Sequence, residues 1–145
     1  MTIKQEEKNI IEEFSVFTDW MDKYEYLIEL GKDLPIIEEK EKVESNLIKG
    51  CQSRVWLQSS YADGKLFFKA DSDAIITKGI ISLLIRVYSG HTPEEILAAD
   101  LSFIEEIGLK ENLSPTRANG LVSMLKQIHL YALAYREQEK QSQIL

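Results

Sequence analysis

The sequence predicts an α+β domain in which a small antiparallel sheet of about three strands is covered, mainly on one face, by helices. Three observations predict it. Apolar residues recur at helical spacing in the first 31 residues and again after Ser72. Between them the period changes to two around an Asp63-Gly64 turn. The order helices, hairpin, helices also differs from the strand-helix alternation that builds parallel sheets.

Taken in order, residues 3–17 place Ile3, Ile10, Ile11, Phe14 and Phe17 at helical intervals among Lys, Gln and Glu, an amphipathic helix. A second helix starts at Thr18 or Asp19, either of which can cap it. It carries Trp20, Tyr24, Leu27 and Ile28 on one stripe and stops at Gly31, before Leu34-Pro35. The charged stretch IIEEKEKVESN reads as a connection, with a short edge strand at Val43–Ile48.

From Gln52 onward Ser53, Val55 and Leu57 point one way and Arg54, Trp56 and Gln58 the other, which is strand periodicity. Asp63-Gly64 suits a tight type I′ turn, whose two central residues need positive φ, and KLFFKA is the return strand. Residues 72–90 resume helical spacing, with Ser72 or Asp73 as cap and Ile76, Ile80, Leu83, Leu84 and Val87 inward. Thr92-Pro93-Glu94-Glu95 is a helix start: a capping hydroxyl, a proline where no donor is missed, and acids at the positive dipole end. Residues 99–107 form a short helical segment. Ser114-Pro115 opens the last helix, striped by Leu121, Leu125, Ile128 and Ala132, and residues 136–145 read as a frayed, solvated tail.

A chain of 145 residues with 44% hydrophobic content suits a single domain, 1–145, around one core. A net charge of -7 repels nucleic-acid phosphates and anionic membrane surfaces, so neither is expected as a partner. The N-terminal residues lack the apolar core of a signal peptide, and GIISLLI, between Lys78 and Arg86, is far too short to span a bilayer. One cysteine makes no internal disulfide and fits a reducing compartment, so a cytoplasmic location is expected. One Cys and two His are too few for a structural zinc site, and no metal is expected.

The sole cysteine, Cys51, stands in IKGCQSRVWL, after Gly50 and before Gln52, Ser53 and Arg54. Cysteine is commonly a small buried hydrophobe. Here a glycine-hinged turn at a strand start can lift the side chain from the core, and Lys49 and Arg54 can stabilise a thiolate against the ordinary thiol pKa of about 8.5. The general bases on offer, His91 in SGHTPEE and His129 in the last helix, belong to no recognisable signature. There is no CxxC for a dithiol cycle. What remains is chemistry open to a lone thiol: exchange or group transfer with a thiol, disulfide or persulfide of another molecule.

The second unusual stretch is LSPTRANGL, residues 113–121. Arg117 opposes the macrodipole in the first turn of its helix, which calls for an ion pair with a surface acid or an anion faced by the guanidinium and the helix amides. In Asn119-Gly120 the glycine costs a helix about 1 kcal/mol, so close packing or a contact is expected to require it.

YLIELGKDLP, GCQSRVWL, SDAIITKGIISLLIRVYSGHTPEEI and LSPTRANGL follow one another as in the SufE family, which the chain resembles over residues 17–130. Thr116 stands where many members have serine. The resemblance implies an α+β fold related to that of the IscU scaffold, with the cysteine on a loop beside the sheet. It implies a sulfur acceptor rather than a free-standing enzyme. Its partner would be a SufS-type cysteine desulfurase, which carries the pyridoxal phosphate (PLP); this chain would bind no cofactor. Cys51 would accept the persulfide sulfur, stimulate the desulfurase and pass the sulfur to a SufBCD-type scaffold for iron-sulfur cluster assembly. Gly50, Gln52, Ser53, Arg54, Asp73, Arg117 and Asn119 are the candidate supporting or partner-contact residues. A paralogous branch serves a different desulfurase with the same motif, so the partner paralogue stays open. The alternative is a module that regulates a desulfurase by docking alone, with Cys51 incidental.

Overall fold

The computed structural model describes residues 1–99 and 102–144. Helix α1 (Ile3–Ser15) opens on a capping box, in which the Thr2 hydroxyl accepts from the Gln5 amide and the Gln5 side chain accepts from the Thr2 amide. Helix α2 (Trp20–Gly31) is capped by Asp19, one of the two residues expected there. Strands β1 (Val55–Ala62) and β2 (Lys65–Ser72) form an antiparallel hairpin in register from Val55↔Ser72 to Ala62↔Lys65. Asp63 (φ 53°) and Gly64 (φ 79°) are both left-handed, as the type I′ turn requires. Helix α3 (Ile75–Tyr88) follows, then α4 (Pro93–Ala98), α5 (Ser102–Glu106) and the long α6 (Pro115–Ile144).

The α+β class holds, but the named sheet has two strands rather than about three. The expected edge strand at Val43–Ile48 is instead a 3-10 turn over Glu44–Asn46 followed by a single bridge, Leu47 to Trp56. The amides of Asn46 and Leu47 bond the carbonyls of Val43 and Glu44, so they are spent locally before a ladder can use them. Strand β1 likewise begins at Val55, since residues 50–53 turn. The last helix does not stop near 135 but continues through Ile144. Of the helical segment expected at 99–107, residues 100 and 101 lie outside the described residues, and α5 occupies 102–106.

Helix α3 is the central element. Ile80, Ile81, Leu83, Leu84, Ile85, Val87 and Tyr88 are all buried, because the sheet, α1, α2 and α6 each take part of its surface. The hairpin offers it Val55, Leu57, Leu66, Phe68 and Ala70, the inward set of a period-two pattern. Helices α2 and α3 cross backbone against backbone: a Cβ built on Gly79 falls 2.2 Å from the Leu27 carbonyl oxygen. Helix α1 is tied down by Arg86 of α3, whose guanidinium donates to Glu6 at 2.6 Å and to both Glu13 oxygens at 2.8 and 2.5 Å. Neither Ser72 nor Asp73 caps α3. Its N-cap is Ala74, with no side-chain cap bond, because Ser72 and Asp73 are engaged with Arg54.

Candidate functional site

The cysteine loop is held at both ends. Before it, the Ile48 amide donates to the Val55 carbonyl at 2.8 Å and Ile48 is buried. After it, the Arg54 amide donates to Asp73 Oδ1 at 3.0 Å, the Asp73 amide to the Arg54 carbonyl at 3.2 Å, and the Ser72 hydroxyl to the same carbonyl at 2.8 Å. Arg54 and Asp73 therefore close the base of the loop, and neither lines the pocket beside the thiol. Gly50 turns the chain at φ 93°, a conformation that demands glycine, and a Cβ there would fall 2.5 Å from Ser123 Oγ of α6 and oblige that hydroxyl to rotate away.

That turn lays Cys51, half-buried, under the first turns of α6, with Sγ 3.7 Å from the Gly120 carbonyl oxygen. A Cβ on Gly120 would stand 3.4 Å from Sγ. Gly120 thus lies against the cysteine, at a distance where an added Cβ would make ordinary van der Waals contact with the sulfur. Ser114 caps α6 by accepting from the Arg117 amide at 3.3 Å, and Pro115 takes the first helical position, where no donor is missed.

A pocket of about 290 Å³ opens beside the thiol. Its walls come from the cysteine loop (Cys51, Gln52, Ser53), the start of α3 (Thr77, Ile80) and the start of α6 (Ser114, Thr116, Arg117, Gly120, Met124). Arg117 is exposed and is the sole charged side chain among those walls. The structure thus brings Gln52, Ser53 and Arg117 to the cysteine, and places Gly50, Arg54 and Asp73 in the loop's support. Asn119 is exposed on α6, away from the pocket lining.

The electrostatics differ from the sequence expectation. Lys49 and Arg54 are exposed, and the influence on the thiol is burial, which pushes Cys51 above its ordinary range by penalising the thiolate. Neither histidine lines the pocket. His91 Nδ1 lies 3.5 Å from Glu95 Oε2, and its carbonyl accepts from the Leu66 amide. His129 sits edge-on to Tyr88, with ring centroids 6.4 Å apart, and burial lowers its pKa.

Sequence reasoning missed Thr77, Ile80, Ser123 and Met124. The signal was present in α6, where residues 117, 120 and 124 repeat on one face and the glycine marks the close approach. Thr77 was one of the few polar residues in a mostly apolar helix. Among the described residues no group of His, Cys, Asp and Glu could hold a metal ion, and no helix is long and apolar enough to cross a membrane.

The family model for SufE, described as an Fe-S metabolism associated domain, matches residues 8–132. The chain is 42% identical over 124 residues to an uncharacterised SufE-like protein of Rhizobium etli, covering 82% of this chain and 84% of that one. It is 39% identical over 127 residues to an uncharacterised SufE-like protein of Synechocystis sp., covering 88% and 80%. Its fold is similar to the solution structure of a hypothetical protein from Thermus thermophilus, with TM-score 0.73 and 22% identity over 89% of this chain and 94% of that one. The match of family model and relatives over most of the length shows that the chain belongs to the SufE family.

Proposed function

We propose that this protein is a sulfur acceptor, not a free-standing enzyme, which takes persulfide sulfur from a PLP-dependent cysteine desulfurase of the SufS type onto Cys51. It stimulates that desulfurase and hands the sulfur to a SufBCD-type scaffold for iron-sulfur cluster assembly, in the cytoplasm. The observation that carries the reading is Cys51 itself: the sole thiol of a SufE-family chain, half-buried on a glycine-hinged loop beside an open pocket whose lining, among the described residues, includes no histidine or carboxylate. Thiol exchange needs only one nucleophilic sulfur here. The Cys51 thiolate attacks the terminal sulfur of the donor's persulfide. A new S–S bond forms, the donor's cysteine leaves as a thiolate, and Cys51 becomes the persulfide. PLP stays on the partner, and this chain needs no cofactor of its own.

The test is to incubate the protein with desulfurase and cysteine and weigh it intact. The expected result is the mass of one added sulfur atom, labile to reductant and absent in Cys51→Ser, whose far-UV dichroism stays native. Labile sulfur on Cys51→Ser, or stimulation of the desulfurase by that variant with no adduct on the unmodified protein, would leave a docking module instead of a carrier.

A further inference from the structure

The pocket beside Cys51 has features that a sulfur relay by docking does not use. Thr77 is 6% exposed and lines it, and among the described residues its hydroxyl has no hydrogen-bond partner. That hydroxyl is reached from the pocket side, where a ligand oxygen can take the place of water. Ser114, Thr116 and Ser53 add hydroxyls, Gln52 an amide, and Arg117 a guanidinium at the start of the 30-residue helix α6, whose dipole favours an anion there. No Asp or Glu is among the lining residues, so a ligand bearing an ammonium group, such as free cysteine, finds no counter-charge. Ile80, Met124 and Gly120 are the apolar part of the lining, and Gly120 is the wall that the Cys51 sulfur touches. At about 290 Å³ the space is at the low end for ligand pockets and suits a compact molecule.

We propose that this pocket binds a compact sulfur oxyanion, and that sulfite bound there takes the sulfane sulfur from the Cys51 persulfide and leaves as thiosulfate. The proposal rests on the persulfide reading of Cys51. The sulfite sulfur uses its lone pair to form a bond to the terminal persulfide sulfur, and the bond from that sulfur to Cys51 Sγ breaks. The electron pair goes to Sγ, which takes up the proton that the terminal sulfur carried. Sulfite is oxidised by the sulfane sulfur it accepts, and no other oxidant or reductant enters. Arg117 and the α6 terminus offset the charge of the incoming dianion. A half-buried Sγ that favours its neutral form is a ready acceptor for the returning proton. The activity would be a second outlet for sulfur when no scaffold is docked.

The experiment loads Cys51 with desulfurase and cysteine, removes both, and adds sulfite while thiosulfate and intact mass are followed. Discharge is expected to saturate with sulfite and to be slowed competitively by sulfate, which has the shape but cannot react. Arg117→Ala is expected to slow discharge about tenfold at sub-saturating sulfite. Thr77→Val, nearly isosteric, should raise the half-saturating sulfite concentration severalfold with the loaded fraction unchanged. Discharge that rises linearly with sulfite, indifferent to sulfate, would overturn the oxyanion site while leaving the relay intact. If the desulfurase puts no sulfur on Cys51 at all, the relay reading falls and this proposal with it. Saturation and sulfate competition are read on the unmodified protein, so the test stands even if a variant folds poorly.

Discussion

The sulfur of Cys51 and the carbonyl oxygen of Gly120 lie 3.7 Å apart, and a methyl group on Gly120 would stand 3.4 Å from that sulfur. The loop and the helix thus meet at the Cys51 sulfur. Gly120→Ala sets two effects against each other: about 1 kcal/mol gained in helix propensity, and crowding of a sulfur on a loop that can move. The loop is the softer partner, so the crowding is relieved by moving it. We expect stability to change little or to rise, while alkylation of Cys51 by a small reagent becomes severalfold faster. Unchanged alkylation would show that the contact does not shelter the thiol.

Burial raises the Cys51 pKa, and the sign determines the pH profile. A thiol whose folded pKa is raised favours folding while neutral. That contribution is present below the ordinary thiol pKa of about 8.5 and is lost as pH rises through the folded value. The alkylation rate of the free protein should therefore titrate with a midpoint above about 8.5, and should increase when a desulfurase lacking its own persulfide-forming cysteine is added, as docking draws the loop outward. A midpoint at or below that of a peptide thiol would restore a thiolate-stabilising role for Lys49 and Arg54.

Gly79 leaves no room for relief. A Cβ there meets the Leu27 carbonyl oxygen at 2.2 Å, backbone against a buried crossing of two helices. Gly79→Ala should destabilise the fold by on the order of 3 kcal/mol despite the better helix propensity, seen as a lower urea midpoint. A neutral result would mean that α2 shifts on α3 without cost.

The Arg86 clamp makes α1 docking acid-sensitive. The Arg86 hydrogen bonds hold the Glu13 carboxyl below its usual range, with the Tyr26 hydroxyl donating to the same carboxylate. For a depressed carboxyl the stabilisation is present above the unfolded pKa of about 4.3 and is lost as pH falls through the folded value. Arg86→Ala should cost about 1–2 kcal/mol at neutral pH, discounted for partial exposure, and should flatten the loss of stability below pH of about 4.3. Equal acid sensitivity in the variant would place the linkage elsewhere.

Local chemistry by itself determined the helices, the hairpin and the candidate residue, Cys51. The Asp63-Gly64 turn, the Asp19 and Thr92 caps and the alternation of Val55 and Leu57 are decided by neighbours within a few residues, and each is found as expected. The singular Cys51 beside Gly50 was visible for the same reason. Tertiary structure alone decided what surrounds the sulfur. Lys49 and Arg54 adjoin Cys51 in the chain yet stay exposed, while Thr77, Arg117 and Gly120, distant in sequence, line the pocket at the thiol. It also decided that Asp73 serves Arg54 rather than capping α3. The physical reason is common to all of these. A cap or a tight turn is closed by bonds between near neighbours, whereas desolvation of a thiol and the walls of a pocket depend on which distant faces α3 and α6 bring against the loop.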